Sequence, residues 1–129
     1  RALIMIYIRR KNSRFAFWAV IIAMLAVSSV PSGSLSYTQT LPVFQLRLDY
    51  LLHFAAYFII GSIGATAYNQ NWKFILFLLI FIVMEEGHQY WVPFRTFNLM
   101  DLLSDFLGAA SGILAVTYAI RNRWIELRG

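Results

Sequence analysis

Cysteine is absent from the 129 residues, which excludes a disulfide framework and thiolate metal or redox chemistry. Charge is scarce as well. Only 13% of residues are Asp, Glu, Lys or Arg and 60% are apolar, against roughly 25% and 45–50% in soluble globular domains. No low-complexity linker or internal repeat divides the chain, so residues 1–129 are read as one domain. No nucleophile elbow, phosphate-cradling glycine loop or serine with a base at helical spacing occurs, which counts against an enzyme. The chain opens on Arg1 and not on Met, so its true start is expected upstream or to have been processed. A removable signal peptide is not expected, because no small-residue cleavage site follows the first apolar run.

What is present is apolar sequence in helix-length blocks. Spanning a hydrocarbon core of roughly 30 Å takes about 20 residues, and in lipid every backbone polar group must be satisfied within the segment. Four such segments are expected, at about 15–30, 49–68, 72–91 and 101–120. Pro31-Ser32-Gly33 stops the first. Asn69-Gln70-Asn71 forms a tight polar connection between the second and third. The third is purely apolar only from Phe74 to Met84, so its helix must continue through Glu85, Glu86 and Gln89 towards Trp91. The fold class expected is all-α, a four-transmembrane-helix bundle, because the first and fourth segments lack the polar face a soluble helix needs.

The net charge of +5 does not point to nucleic acid, since the basic residues sit beside apolar segments at the two tails. Topology accounts for them. Nine of the 11 basic residues (Arg1, Arg9, Arg10, Lys11, Arg14, Lys73, Arg121, Arg123, Arg128) fall on one side of the four segments, and only Arg47 and Arg95 on the other. The positive-inside rule makes both termini cytoplasmic and the connections at about 31–48 and 92–100 extracytoplasmic. The basic N-terminal flank, next to Ile4 to Ile8, is read as a positive-inside anchor, the alternative being an interfacial segment attracted to anionic lipid. Trp18, Trp72, Trp91, Trp124, Tyr50 and Tyr90 read as interfacial belt residues.

The acids run the other way. Asp49, Glu85, Glu86, Asp101 and Asp105 lie at the outer ends, and only Glu126 is inside. Asp49, His53 and Tyr57 recur every four residues and share a stripe with Gly61. Glu86 and Gln89 share a face, Arg95 follows in the outer connection, and Asp101, Asp105, Gly108 and Gly112 form a third stripe. Gly61 and Gly64 in one helix, with Gly108 and Gly112 in another, allow close packing that brings the stripes together. Isolated charges at membrane depth cost roughly 2.5–3.5 kcal/mol each, so these groups must pair or reach water. Arg95 is expected to clamp a carboxylate, and His53 to bridge a carboxylate and a neutral acceptor. Ionisable groups inside a membrane point to a ligand-binding cluster. Its bland counterpart is internal cement.

Other histidine chemistry is not expected. A lone His53 on an apolar helix is more naturally hydrogen-bonded than a haem ligand, so no cofactor is assigned. His88 is an interfacial residue. Glu85, Glu86 and His88 cannot form a metal site, because neighbouring helical residues point about 100° apart.

The segment from Asp49 through His53 to Tyr57, then Glu86 to Gln89, then Arg95 to Asp101, then Asp105 with Gly108 and Gly112, resembles the VanZ-like family of small membrane proteins. The likeness covers roughly residues 15 to 120. Its signature is E-x-x-Q, five residues, R, five residues, D, three residues, then a polar residue with Gly three further on. The chain departs from it twice, with Tyr50 where the family has Lys, for which Arg47 one turn away is a substitute, and Asp105 where it has Asn. The resemblance implies a multi-pass protein of the bacterial cytoplasmic membrane, associated with teicoplanin-type glycopeptide resistance and without a defined reaction. The expected partners are the lipid bilayer and an envelope or lipid-linked ligand. The alternative is a non-catalytic accessory subunit of a membrane protein complex.

Overall fold

The computed structural model describes residues 6–31, 40–41, 46–93, 95 and 97–128. The connection expected at about 31–48 falls mostly outside the described residues. Among them the chain is mainly helical: α1 spans Arg10–Ser28, α2 Leu48–Tyr68, α3 Trp72–Gln89 and α4 Leu99–Arg121. The first helix begins at Arg10, several residues ahead of the apolar run, so its opening turns are basic.

Four short strands accompany the helices. β1 (Ile6–Arg9) pairs in parallel with β4 (Ile125–Arg128), Ile6 opposite Ile125 and Arg9 opposite Arg128. β2 (Thr40–Leu41) pairs antiparallel with β3 (Leu46–Arg47). The β1–β4 ribbon holds both ends of the chain at the same end of the bundle, where the Arg128 guanidinium sits 4.1 Å above the Tyr7 ring. An expectation of helix alone misses it, because a four-residue run is too short to stand out, although Ile125 to Arg128 alternates apolar and charged and β1 does not.

Local chemistry sets the helix boundaries. The turn after α2 places Asn69 and Gln70 at positive φ (52° and 53°), a conformation Asn adopts more readily than most residues and Gln, unbranched at Cβ, more readily than a β-branched one. The Asn71 side chain then accepts from the Lys73 N–H at 2.9 Å and caps α3. Asn98 caps α4 in the same way, accepting from the Met100 N–H at 3.0 Å.

The tightest packing is α2 on α4. A Cβ added to Gly61 would collide with the Ala109 backbone, and one added to Gly108 or Gly112 would strike the backbone of Phe54 or Phe58. These three glycines let two helices meet backbone to backbone. Gly64 does something different, making room for the rings of Phe74 and Phe17 from α3 and α1. Phe17 is the hub of that half of the core, buried to 1% exposure, with edge-on contacts to Trp18, Tyr68, Phe74 and Phe77. Aromatic packing thus fills the end near the termini and leaves the far end to polar side chains.

Two of the four helices, α2 and α4, are long and apolar enough to cross a membrane.

Candidate functional site

At the end of the bundle away from the termini, α2, α3 and α4 each deliver polar side chains inward. The reason is visible in α3. Leu78, Ile82, Glu85, Glu86 and Gln89 are its buried residues over the last three turns, and Ile82, Glu85, Glu86 and Gln89 follow the i, i+3, i+4, i+7 pattern of a core stripe. The last turns of that stripe are acidic and amide where the earlier ones are aliphatic. On α4 the buried face runs Asp101, Asp105, Gly108, Ala109, Gly112, so the carboxylates continue the line of the packing glycines.

His53 and Asp105 are joined by 2.9 Å between Nδ1 and Oδ1. The Tyr57 hydroxyl donates to Glu85 Oε2 at 3.2 Å. Gln89 Nε2 donates to Glu85 Oε1 and to Glu86 Oε2, both at 3.2 Å. The second Glu86 oxygen accepts from the Asn98 N–H at 3.1 Å, which couples the α4 cap to the cluster. Asp101 lies within electrostatic reach of His53, Glu86 and Asp105. Exposure is 1% or less for Glu85, Glu86 and Asp105, 4% for Gln89 and 8% for Asp101, so these groups are withdrawn from bulk solvent, while the His53 side chain, at 14%, stays partly open to it. Charge and hydrogen-bond geometry therefore act at low dielectric, where each carries more weight than in water.

Arg95 departs from its expected role. Its Nη1 donates to Gln89 Oε1 at 3.2 Å, while Nε and Nη2 donate to the Val30 and Val27 carbonyls at 3.1 and 3.3 Å. Among the described residues it clamps no carboxylate. It instead satisfies carbonyls at the C-terminal end of α1, where a cation suits both the open acceptors and the helix dipole. Gln89 then passes its contact on to the two glutamates. Asp49, in the first turn of α2, is half-buried and accepts from the Tyr50 N–H at 3.1 Å. His88 is exposed.

Two participants are additions to those anticipated. Glu85 faces inward with Glu86, because the buried arc of α3 is wide enough for two adjacent positions. The i, i+3, i+4, i+7 spacing from Ile82 carries that signal. Asn98 carries a backbone donor that only the fold reveals. A separate cavity of about 360 Å³ opens near the termini between Arg10, Arg14, Lys73 and the rings of Phe17, Trp18 and Tyr68, and none of the acidic cluster lines it.

Comparison with protein-family models, curated proteins and solved structures finds no match.

Proposed function

We propose that all four helices cross the bacterial cytoplasmic membrane with both termini inside, and that the polar cluster lies in the outer leaflet, where it binds a polar or lipid-linked envelope molecule. The observation that carries this reading is the convergence of α2, α3 and α4 on one buried polar network while their outward faces are apolar. On α3, Leu76, Leu79, Ile80, Val83 and Met84 are 45–67% exposed, whereas Glu85 and Glu86 are inside. The two glutamates that lower the overall hydropathy of α3 are thus turned away from its surface, and its one lysine, Lys73, is exposed in the first turn. Exposed Phe15, Ile22 and Val27 on α1, with Leu103, Leu107 and Leu114 on α4, extend an apolar exterior of the kind lipid covers. The resemblance to VanZ-like proteins supplies the context: an envelope role and tolerance of teicoplanin-type glycopeptides.

The test is expression in a glycopeptide-sensitive host. Glu86→Gln is expected to abolish protection while membrane abundance stays at the wild-type level, and Arg95→Ala to abolish it when compared at matched membrane abundance. Both variants protecting cells as well as the parent does would refute the reading.

A second reading has its own observation. Both oxygens of Glu85 and of Glu86 are already occupied by Tyr57, Gln89 and Asn98, which suits internal cement in an accessory subunit of a larger complex. Such a chain would leave mild detergent with partner proteins attached, and migration alone at its own mass speaks against it.

A further inference from the structure

We propose that His53, Glu86 and Asp105 form a binding site for a divalent transition-metal ion of the Mn²⁺ to Zn²⁺ class. The inference rests on the reading of this cluster as a binding site and names a ligand for it. The three side chains come from α2, α3 and α4, and each offers one donor atom within 4.8 Å of the others. Metal–ligand bonds of about 2.1 Å set neighbouring corners of an octahedron about 3.0 Å apart, and the 2.9 Å between His53 Nδ1 and Asp105 Oδ1 already matches that edge. Glu85, Glu86 and His88 do not supply the site, since His88 points away; the histidine comes instead from a different helix.

An acidic cluster alone would not call for a cation, but two further features do. Asp105 is fully buried, and while its Oδ1 meets His53, its Oδ2 is buried with no hydrogen-bond partner among the described residues. A buried carboxylate oxygen in that state loses its hydration without compensation. The charge is also unbalanced. Among the described residues, Glu85, Glu86 and Asp105 meet no Lys or Arg; their one cationic contact is His53, at Asp105. A divalent ion held by the Glu86 and Asp105 carboxylates and a neutral imidazole sums to zero net charge at the site, and Glu85, which is not a ligand, keeps its bonds from Tyr57 and Gln89. Binding replaces the proton between His53 Nδ1 and Asp105 Oδ1, which leaves to solvent, as metal ligands must be deprotonated. One nitrogen among oxygens favours Mn²⁺, Fe²⁺ or Zn²⁺ over Mg²⁺ and Ca²⁺, which prefer oxygen alone. The bonds from Gln89 and the Asn98 N–H to Glu86 orient that ligand in the way outer partners orient metal-bound carboxylates.

The experiment uses the full chain, stripped with chelator and purified in detergent. Mn²⁺ is titrated in while the free-ion signal is followed by electron paramagnetic resonance. One saturable Mn²⁺ per chain is expected, displaced by equimolar Zn²⁺ in accord with their relative affinities and not by equimolar Mg²⁺ or Ca²⁺. Asp105→Asn, Glu86→Gln and His53→Gln should each weaken binding by more than about 10-fold, and Glu126→Gln, in β4, should not. Should Asp105→Asn fail to fold, Zn²⁺ should raise the Tm of the parent and leave that of His53→Gln unchanged. Absence of saturable binding by the parent, or parental affinity in His53→Gln, overturns the site. Metal binding by the parent together with full glycopeptide protection by both Glu86→Gln and Arg95→Ala would sustain it and refute the envelope reading. Protection by a chain that binds no metal would refute the cation site alone.

Discussion

His53 on α2 and Asp105 on α4 lie 52 positions apart in sequence, yet Nδ1 and Oδ1 are 2.9 Å apart, with the aspartate fully buried. The contact depends on the close α2–α4 approach that begins at Gly108, one turn along the same face. A polar pair and a packing seam are therefore parts of one device.

The two partners differ in what their loss leaves behind. His53→Ala strands a buried carboxylate and is expected to cost about 3–5 kcal/mol, the range for an uncompensated buried charge. Asp105→Ala leaves an imidazole that can be neutral, and should cost about 1–3 kcal/mol. Denaturant titration in detergent, with the double variant closing the cycle, measures both. A double variant equal to the sum of the singles would show that the two do not act as a pair, and equal single costs would show that the stranded carboxylate carries no extra penalty.

Glycine substitutions separate packing from propensity. Ala at Gly112 or Gly108 drives a methyl into the α2 backbone and is expected to destabilise by about 1–3 kcal/mol. Gly87→Ala meets nothing within 4 Å, so helix propensity alone acts, and a gain of about 0.5–1 kcal/mol is expected. Tm measurements on the three variants check the sign of each.

Arg95 holds three elements together with three hydrogen bonds. Arg95→Ala is expected to lose about 2 kcal/mol of stability, in line with bonds made by a charged donor at a partly wet site. Arg95→Lys should recover less than half, because one ammonium cannot reproduce the planar fork that reaches Val27, Val30 and Gln89 at once. Full recovery with lysine would mean that charge, and not geometry, is what matters.

These contacts also mark what the sequence reveals and where it stops. Helix spacing alone places His53, Tyr57, Asp101, Asp105 and the packing glycines on facing stripes, and α2, α3 and α4 keep Tyr57, Glu86, Gln89, Asp101, Asp105 and the glycines buried and His53 mostly so. Glu85 escapes that argument when helical faces are treated as narrower than the buried arc of α3. Arg95 escapes it because its partners are backbone carbonyls at the end of α1, 65 and 68 positions away, and carbonyls have no residue identity to read. The β1–β4 pairing escapes it because the alternation of Ile125, Glu126, Leu127 and Arg128 is only four residues long and its partner strand has none.

The orientation of the bundle is open to direct test because the chain has no native cysteine. Trp91 is 78% exposed at the end that carries the acidic cluster, and Arg121 is exposed at the end shared by both termini. A membrane-impermeant maleimide applied to intact cells is expected to label Trp91→Cys and to spare Arg121→Cys until the membrane is opened. The proposed direction comes from Lys and Arg in short flanks, which resist translocation, whereas the outer carboxylates contribute little to it. Labelling in the reverse order would place the cluster in the inner leaflet and remove any route from it to an envelope ligand. Labelling of both positions in intact cells would mean that α4 does not cross the bilayer.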